Sequence, residues 1–100
     1  MLAKKFPLGT VVLTRGADEA LAQETEFLED YEVCLTHLLN HYQSGNWGDM
    51  DEEDCQTNDN ALERGDRLMG AYTLPKTNVR IWIITEWDRS VTTILLPEDY

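Results

Sequence analysis

Apolar positions along this chain follow two different periods, and the change of period marks out the elements. In "GTVVLTRG" β-branched residues run together between Gly9 and Gly16, which predicts a first strand over roughly Thr10 to Thr14. "ADEALAQE" then brings a short segment of good helix formers. "TEFLEDYEVCLTHLLNHYQSG" follows as a second helix, with Thr25 as its N-cap and Gly45 as its stop. On it Phe27, Leu28, Tyr31, Leu35, Leu38, Leu39 and Tyr42 recur at steps of three and four, an amphipathic stripe that should pack on a sheet. A third helix begins near Asp49 or Asp51 and runs to about Arg64, where Gly65 offers a C-terminal stop.

Three β-rich runs close the chain: "RLMGAYTL", "VRIWIIT" and "VTTILLP", separated by the turn-like "PKTN" and "EWDRS". They predict an antiparallel meander. The order β-α-α-α-β-β-β makes an α+β domain, with an antiparallel sheet of three to four strands and about three helices on one face. Ile81, Ile83 and Thr85 alternate with Trp82, Ile84 and Glu86, so both faces of that strand are apolar up to the turn. It should be central, with Trp82 buried and Leu35, Leu38 and Leu39 packed on the sheet. In the turn, Asp88 can accept backbone N–H bonds while Arg89 and Ser90 project outward.

A chain of 100 residues forms one domain with a single modest core, and its 42% hydrophobic content is enough to fill it. The apolar runs are far shorter than the ~20 residues that cross a bilayer, and the start "MLAKKFPLG" has no apolar signal core. The expectation is a soluble cytoplasmic protein with no membrane partner, and with Cys34 and Cys55 as reduced thiols.

Charge changes the picture more than composition does. The formal net charge is -11, yet it is very unevenly spread. From Ala17 to Glu63 there are fourteen Asp or Glu and no Lys or Arg; the rest of the chain carries eight bases and five acids, so -14 and +3 make up the total. Such a field repels phosphates and anionic membranes and speeds encounter with basic partners. Direct nucleic-acid binding is thereby disfavoured.

The densest part of this span is "GNWGDMDEEDCQTND", Gly45 to Asp59, with six carboxylates. An EF-hand loop needs Gly at its sixth position and Glu at its twelfth; counting from Asp49, these are Asp54 and Asn60, so the motif fails. Asp49 followed by Glu52 resembles a capping box, and acids in a first turn meet the positive end of the helix dipole. Capping, however, uses one or two carboxylates and leaves the others without a role. Cys34, His37 and His41 share a helix edge with Cys55 as a conceivable fourth zinc ligand, but structural zinc sites draw ligand pairs from separate elements, so no metal is expected there. No G-x-S-x-G, P-loop or dinucleotide fingerprint appears, which leaves a non-enzymatic protein without a cofactor.

"FPLGTVVLTRGADEAL", "GNWGDMDEEDCQTNDNAL" and "IWIITEWDRSVTTILLPEDY" resemble a family of short bacterial proteins from plasmids, phages and integrative elements, described as plasmid-related or as a restriction-modification subunit. The resemblance covers both ends and the acidic middle. It departs at Gln23 to Leu39, which is longer here, and at Trp87, where the family pattern has a small residue. It implies a mobile-element origin and carries no assigned activity. Two function classes follow. One is an acidic decoy that imitates nucleic acid and blocks a host defence nuclease or CRISPR effector; the other is an interaction module for a basic replication, partition or toxin protein. In both, the partner surface is expected to comprise Glu26, Glu29, Asp30, Asp49, Asp51, Glu52, Glu53, Asp54 and Asp59, with Trp47 and Trp87 as exposed aromatic anchors.

Overall fold

In the computed structural model, which describes residues 3–100, the chain is ordered β1 (Thr10–Leu13), α1 (Arg15–Glu24), α2 (Leu28–Gln43), α3 (Glu52–Arg64), β2 (Leu68–Thr73), β3 (Arg80–Thr85) and β4 (Val91–Leu95). A 3-10 turn over Pro97–Asp99 follows β4. This is the α+β order that the periodicities predict. Helix boundaries differ where a polar side chain caps better than the one expected. Thr14 accepts from the Ala17 N–H at 3.2 Å, so α1 starts two residues before "ADEALAQE". Thr25 does not cap α2. Its hydroxyl donates back to the Leu21 carbonyl at 2.8 Å and ends α1, and α2 begins after Phe27 with no side-chain cap. For α3 the cap is Asp51, accepting from the Asp54 N–H at 2.8 Å, rather than an Asp49–Glu52 pair, and Gly65 closes the helix in the left-handed conformation at φ 76°.

The four strands form one sheet in the order β1-β4-β3-β2. β2, β3 and β4 are the antiparallel meander, but β1 lies parallel to β4, so the sheet is mixed and not antiparallel throughout. The reason is the helical connection, which carries the chain from the end of β1 across the sheet to its far edge. β4 then returns beside β1 in the same direction.

Register assigns the two faces. Leu68, Tyr72, Ile81, Ile83 and Ile94 share a face and join Ala17, Ala20 and Leu21 of α1, Tyr42 of α2 and Ala61 of α3 in the core. Leu35, Leu38 and Leu39 are only partly buried and pack at its margin. Trp82 points to the opposite face, where no helix lies; it is half-buried under the C-terminal turn, edge-on to Tyr100 with centroids 5.8 Å apart, and so is not the core residue that the alternation implied. Arg67 sits 5.3 Å over the Tyr100 ring and donates to its hydroxyl at 2.9 Å.

A line of hydroxyls ties the core together. Tyr42, with no exposed surface, donates to Thr85 Oγ1 at 2.8 Å; the Thr85 and Thr92 hydroxyls lie 2.8 Å apart; and Thr92 donates to the Leu8 carbonyl at 2.7 Å. Because Thr92 spends its proton on Leu8, Thr85 is the donor between the two threonines. Every buried side-chain nitrogen and oxygen among the described residues has a partner. Burial pushes the Tyr42 phenol well above its ordinary value, so it remains a donor at any pH at which the protein is handled.

Substituting Tyr42→Phe keeps the ring but removes the donor at the head of this line. The expected cost is about 1–2 kcal/mol, read as a lower urea midpoint with unchanged far-ultraviolet circular dichroism. An unchanged midpoint would show that the hydroxyl line adds nothing to stability.

Candidate acidic interface

Thirteen of the fourteen acids between Ala17 and Glu63 are exposed. None of them forms an ion pair: among the described residues the one salt bridge is Arg67 with Glu86, at 3.9 Å, and both lie outside that span. Glu52, Glu53 and Asp54 occupy the exposed first turn of α3, and Glu29 and Asp30 the exposed first turn of α2, preceded by exposed Glu26. Both sets meet the positive end of a helix dipole.

Several predicted site residues are also structural. Asp51 caps α3, and Asp49 accepts from the Thr73 hydroxyl at 2.7 Å. Asp59 accepts from the Trp47 indole N–H at 3.0 Å. Trp47 is 3% exposed, stacked on Phe6 at 6.0 Å and edge-on to Tyr42 at 5.6 Å. It is therefore a core residue and not an exposed anchor: its ring completes the aromatic cluster while its N–H holds α3 through Asp59. Trp87 is exposed, at 68%. It stands in the β3–β4 turn, whose Arg89 donates to the carbonyls of Asp66 and Ala61 at the C-terminal end of α3. The acids of 52–54 lie at the other end of that helix, ~20 Å away by its length. Trp87 and the carboxylates do not form one patch.

Within that turn Asp88 accepts from both the N–H and the hydroxyl of Ser90, at 3.0 and 2.6 Å, which holds its carboxyl below the usual range. Arg89 adopts φ 61° and spends its guanidinium on backbone carbonyls. These three residues build the turn and the α3 C-terminus; Arg89 points inward and not, as expected, outward.

One groove of about 780 Å³ interrupts the acidic surface. Asp30, Cys34, His37 and His41 of α2 line one side; Asp49, Tyr72, Leu74 and Lys76 line the other, with Val33 and Leu38 adding apolar wall. It brings together Asp30 and Asp49, which are nineteen positions apart in sequence. The His37 and His41 rings are edge-to-face at 4.4 Å, and His41 Nδ1 is 3.3 Å from the Asn46 amide. No three His, Cys, Asp or Glu side chains among the described residues are grouped to hold a metal ion. Cys55 lies on α3, against the Met50 carbonyl, away from the groove lining. Burial raises both thiols, Cys34 further by Glu24 and Cys55 by Asp59 and Asp51, so neither is an activated nucleophile.

Glu24 is the acid that composition alone misplaces. It is 6% exposed and accepts from the N–H groups of Lys76 and Thr77 and from the Thr77 hydroxyl, all within 3.2 Å. Burial raises its pKa, but the donors outweigh this and hold it below the ordinary 4.5. It thus fastens α1 to the β2–β3 turn.

Compared with protein families, with curated proteins and with solved structures, the chain matches none. Assignment of the surface therefore rests on its geometry and charge. No helix among the described residues is long and apolar enough to cross a membrane.

A folded-state pKa below the unfolded one means that Glu24 contributes stability above pH 4.5, lost as the pH falls through the lowered value. Glu24→Gln should cost about 1–2 kcal/mol near neutral pH. It should also flatten the decline of the urea midpoint below pH 4.5. Parallel pH curves for parent and variant would refute this role.

Proposed function

We propose that the protein acts without catalysis, as an acidic decoy whose exposed carboxylates occupy a basic groove of another protein that otherwise holds nucleic acid. The observation that carries this reading is the set of thirteen exposed acids that make no ion pair among the described residues, across forty-seven residues without Lys or Arg. Stability by itself favours interspersed Lys or Arg at i,i+4 spacing, and like charges on a helix cost ~0.2–0.5 kcal/mol per pair. Uncompensated charge on this scale is useful when a strongly basic partner supplies the counter-charge. Duplex DNA carries one charge per ~1.7 Å of axis, and the exposed first turns of α2 and α3 each concentrate carboxylates at a comparable density, with Asp59 and Glu63 further along α3. A host defence nuclease or CRISPR effector subunit has the basic groove that such clusters fit, in keeping with the mobile-element resemblance and with an anti-restriction or anti-CRISPR role.

A second reading, an interaction module for a basic replication, partition or toxin protein, draws support from the groove. A backbone mimic needs only charge, whereas the apolar walls of Val33, Leu38 and Leu74 beside Asp30 and Asp49 suit one particular side chain of one partner.

Replacing Glu52 and Glu53 by Gln and Asp54 by Asn should shift stability by less than ~1 kcal/mol, since lost dipole contacts and relieved repulsion offset each other. With the basic partner captured from host lysate, association at low salt should slow by on the order of tenfold, and the parent should compete with a short duplex less well as salt rises. Full-strength binding by the neutralised variant, or no basic partner at low salt, would refute the decoy reading.

A further inference from the structure

The two edges of the sheet are treated in opposite ways. At the β2 edge the outward backbone groups of Met69 and Ala71 are all answered. Asn58 of α3, 5% exposed, uses its side-chain amide as a surrogate strand, donating to the Met69 carbonyl at 2.7 Å and accepting from the Met69 N–H at 3.0 Å. Trp47 to Asp49 continue the cover: the Ala71 N–H donates to the Trp47 carbonyl, and the Asp49 N–H donates to the Ala71 carbonyl. Gly48, at φ 79°, lies so close that an added Cβ would strike the Ala71 carbonyl. This edge cannot accept another strand.

At the β1 edge nothing comparable exists. The N–H groups of Thr10 and Thr14 donate to the Ser90 and Ile94 carbonyls of the β4 side at 3.0 and 2.9 Å. Alternation therefore turns the N–H and C=O of Val11 and Leu13 outward, and among the described residues they make no hydrogen bond. The strand "TVVL" has no charge, proline or bulge, which are the usual devices against edge pairing, and Val12 is 41% exposed on the helix-free face.

We propose that β1 pairs antiparallel with β1 of a second copy about a two-fold axis through Val12, joining two sheets into one of eight strands. The outward groups define the occupant as an extended strand, and the register follows from them. Val11 exchanges both backbone bonds with the second copy's Leu13, Leu13 does so with its Val11, and the two Val12 side chains meet across the axis as a close non-hydrogen-bonded pair. A second copy fits this edge better than a basic protein does, because β1 offers no carboxylate and the acidic α3 lies at the opposite edge of the sheet. The contact is isologous, so it closes at two chains. Each copy carries -11, so long-range repulsion opposes pairing and salt relieves it. Salt should therefore strengthen this association, the reverse of its effect on binding at the acidic surface.

Sedimentation velocity across protein concentrations at low and high salt should show the 11.5 kDa chain giving way to a species of twice that mass, more readily at high salt. Val12→Lys, which places like charges opposite one another at a position outside the core, should raise the dimer dissociation constant by on the order of tenfold or more. In the parent protein, the amide protons of Val11 and Leu13 should become protected from exchange as concentration rises. A monomer under all conditions would overturn the proposal. So would a dimer whose Val11 and Leu13 amides stay unprotected, or one that Val12→Lys leaves unchanged.

Discussion

The buried line of hydroxyls from Tyr42 through Thr85 and Thr92 to the Leu8 carbonyl is the constraint on which the rest of the structure depends. It joins the end of α2, the hairpin of the two central strands and the segment leading into β1, three parts that are distant along the chain. Two threonines on the core face of the central strands would each bury an unpaired hydroxyl without it, at a cost of about 1–3 kcal/mol apiece. Satisfied, they direct the packing instead. Tyr42 is held at one angle, Phe6 stands edge-on to it at 5.2 Å, and Trp47 packs against both rings. The Trp47 N–H then reaches Asp59 and positions α3, whose Asn58 seals the β2 edge. The acidic helices are thus placed by a polar network in the core and by few contacts of their own.

That arrangement explains which parts of the fold could be read in advance. Elements with a strong period and a local stop, such as β2 to β4 and the body of α3 up to Gly65, lie where the pattern put them, because local chemistry decides them. The pairing of β1 is not a local property: "TVVL" reads the same whether its neighbour runs parallel or antiparallel, and only the length of the helical connection selects β4. Trp82 misleads for a related reason. Alternation shows that both faces of β3 are apolar, but not that one of them is covered by a short C-terminal turn and not by a helix.

The candidate surface divides in the same way. Exposure of the acids follows from charge density, since carboxylates without bases nearby have nowhere favourable to be buried, and thirteen of fourteen are in solvent. The exception, Glu24, is buried by the N–H groups of Lys76 and Thr77, more than fifty residues away, a partnership that no local pattern announces. Trp47 looks like an anchor because it borders an acidic run, and is core because Phe6 and Tyr42 surround it. Asn58 carried no signal at all. A polar residue in the middle of an acidic helix resembles any solvated position until its amide is seen to pair both backbone groups of Met69.

Charge and cohesion are separated in space, and each makes the other possible. Arg67, Lys76, Arg80 and Arg89 lie on or beside the strands and turns of the sheet, while the uncompensated acids lie on the helices and the segments that lead into them. Repulsion among those acids is spread over exposed first turns, where solvent and the helix dipole moderate it. Had Asp59 or Asp51 been free, the densest stretch would carry more unrelieved charge; instead one accepts from Trp47 and the other caps α3, so the same residues that contribute to the field also anchor the helix that displays it. Leu28, on the stripe that buries Tyr42, is 74% exposed beside Phe27 at 65%, because α2 extends past the end of the core. The apolar tip of that helix is bordered by Glu26, Glu29 and Asp30, so the same exposed turn displays charge and apolar surface side by side, and the carboxylates keep that apolar tip in solvent.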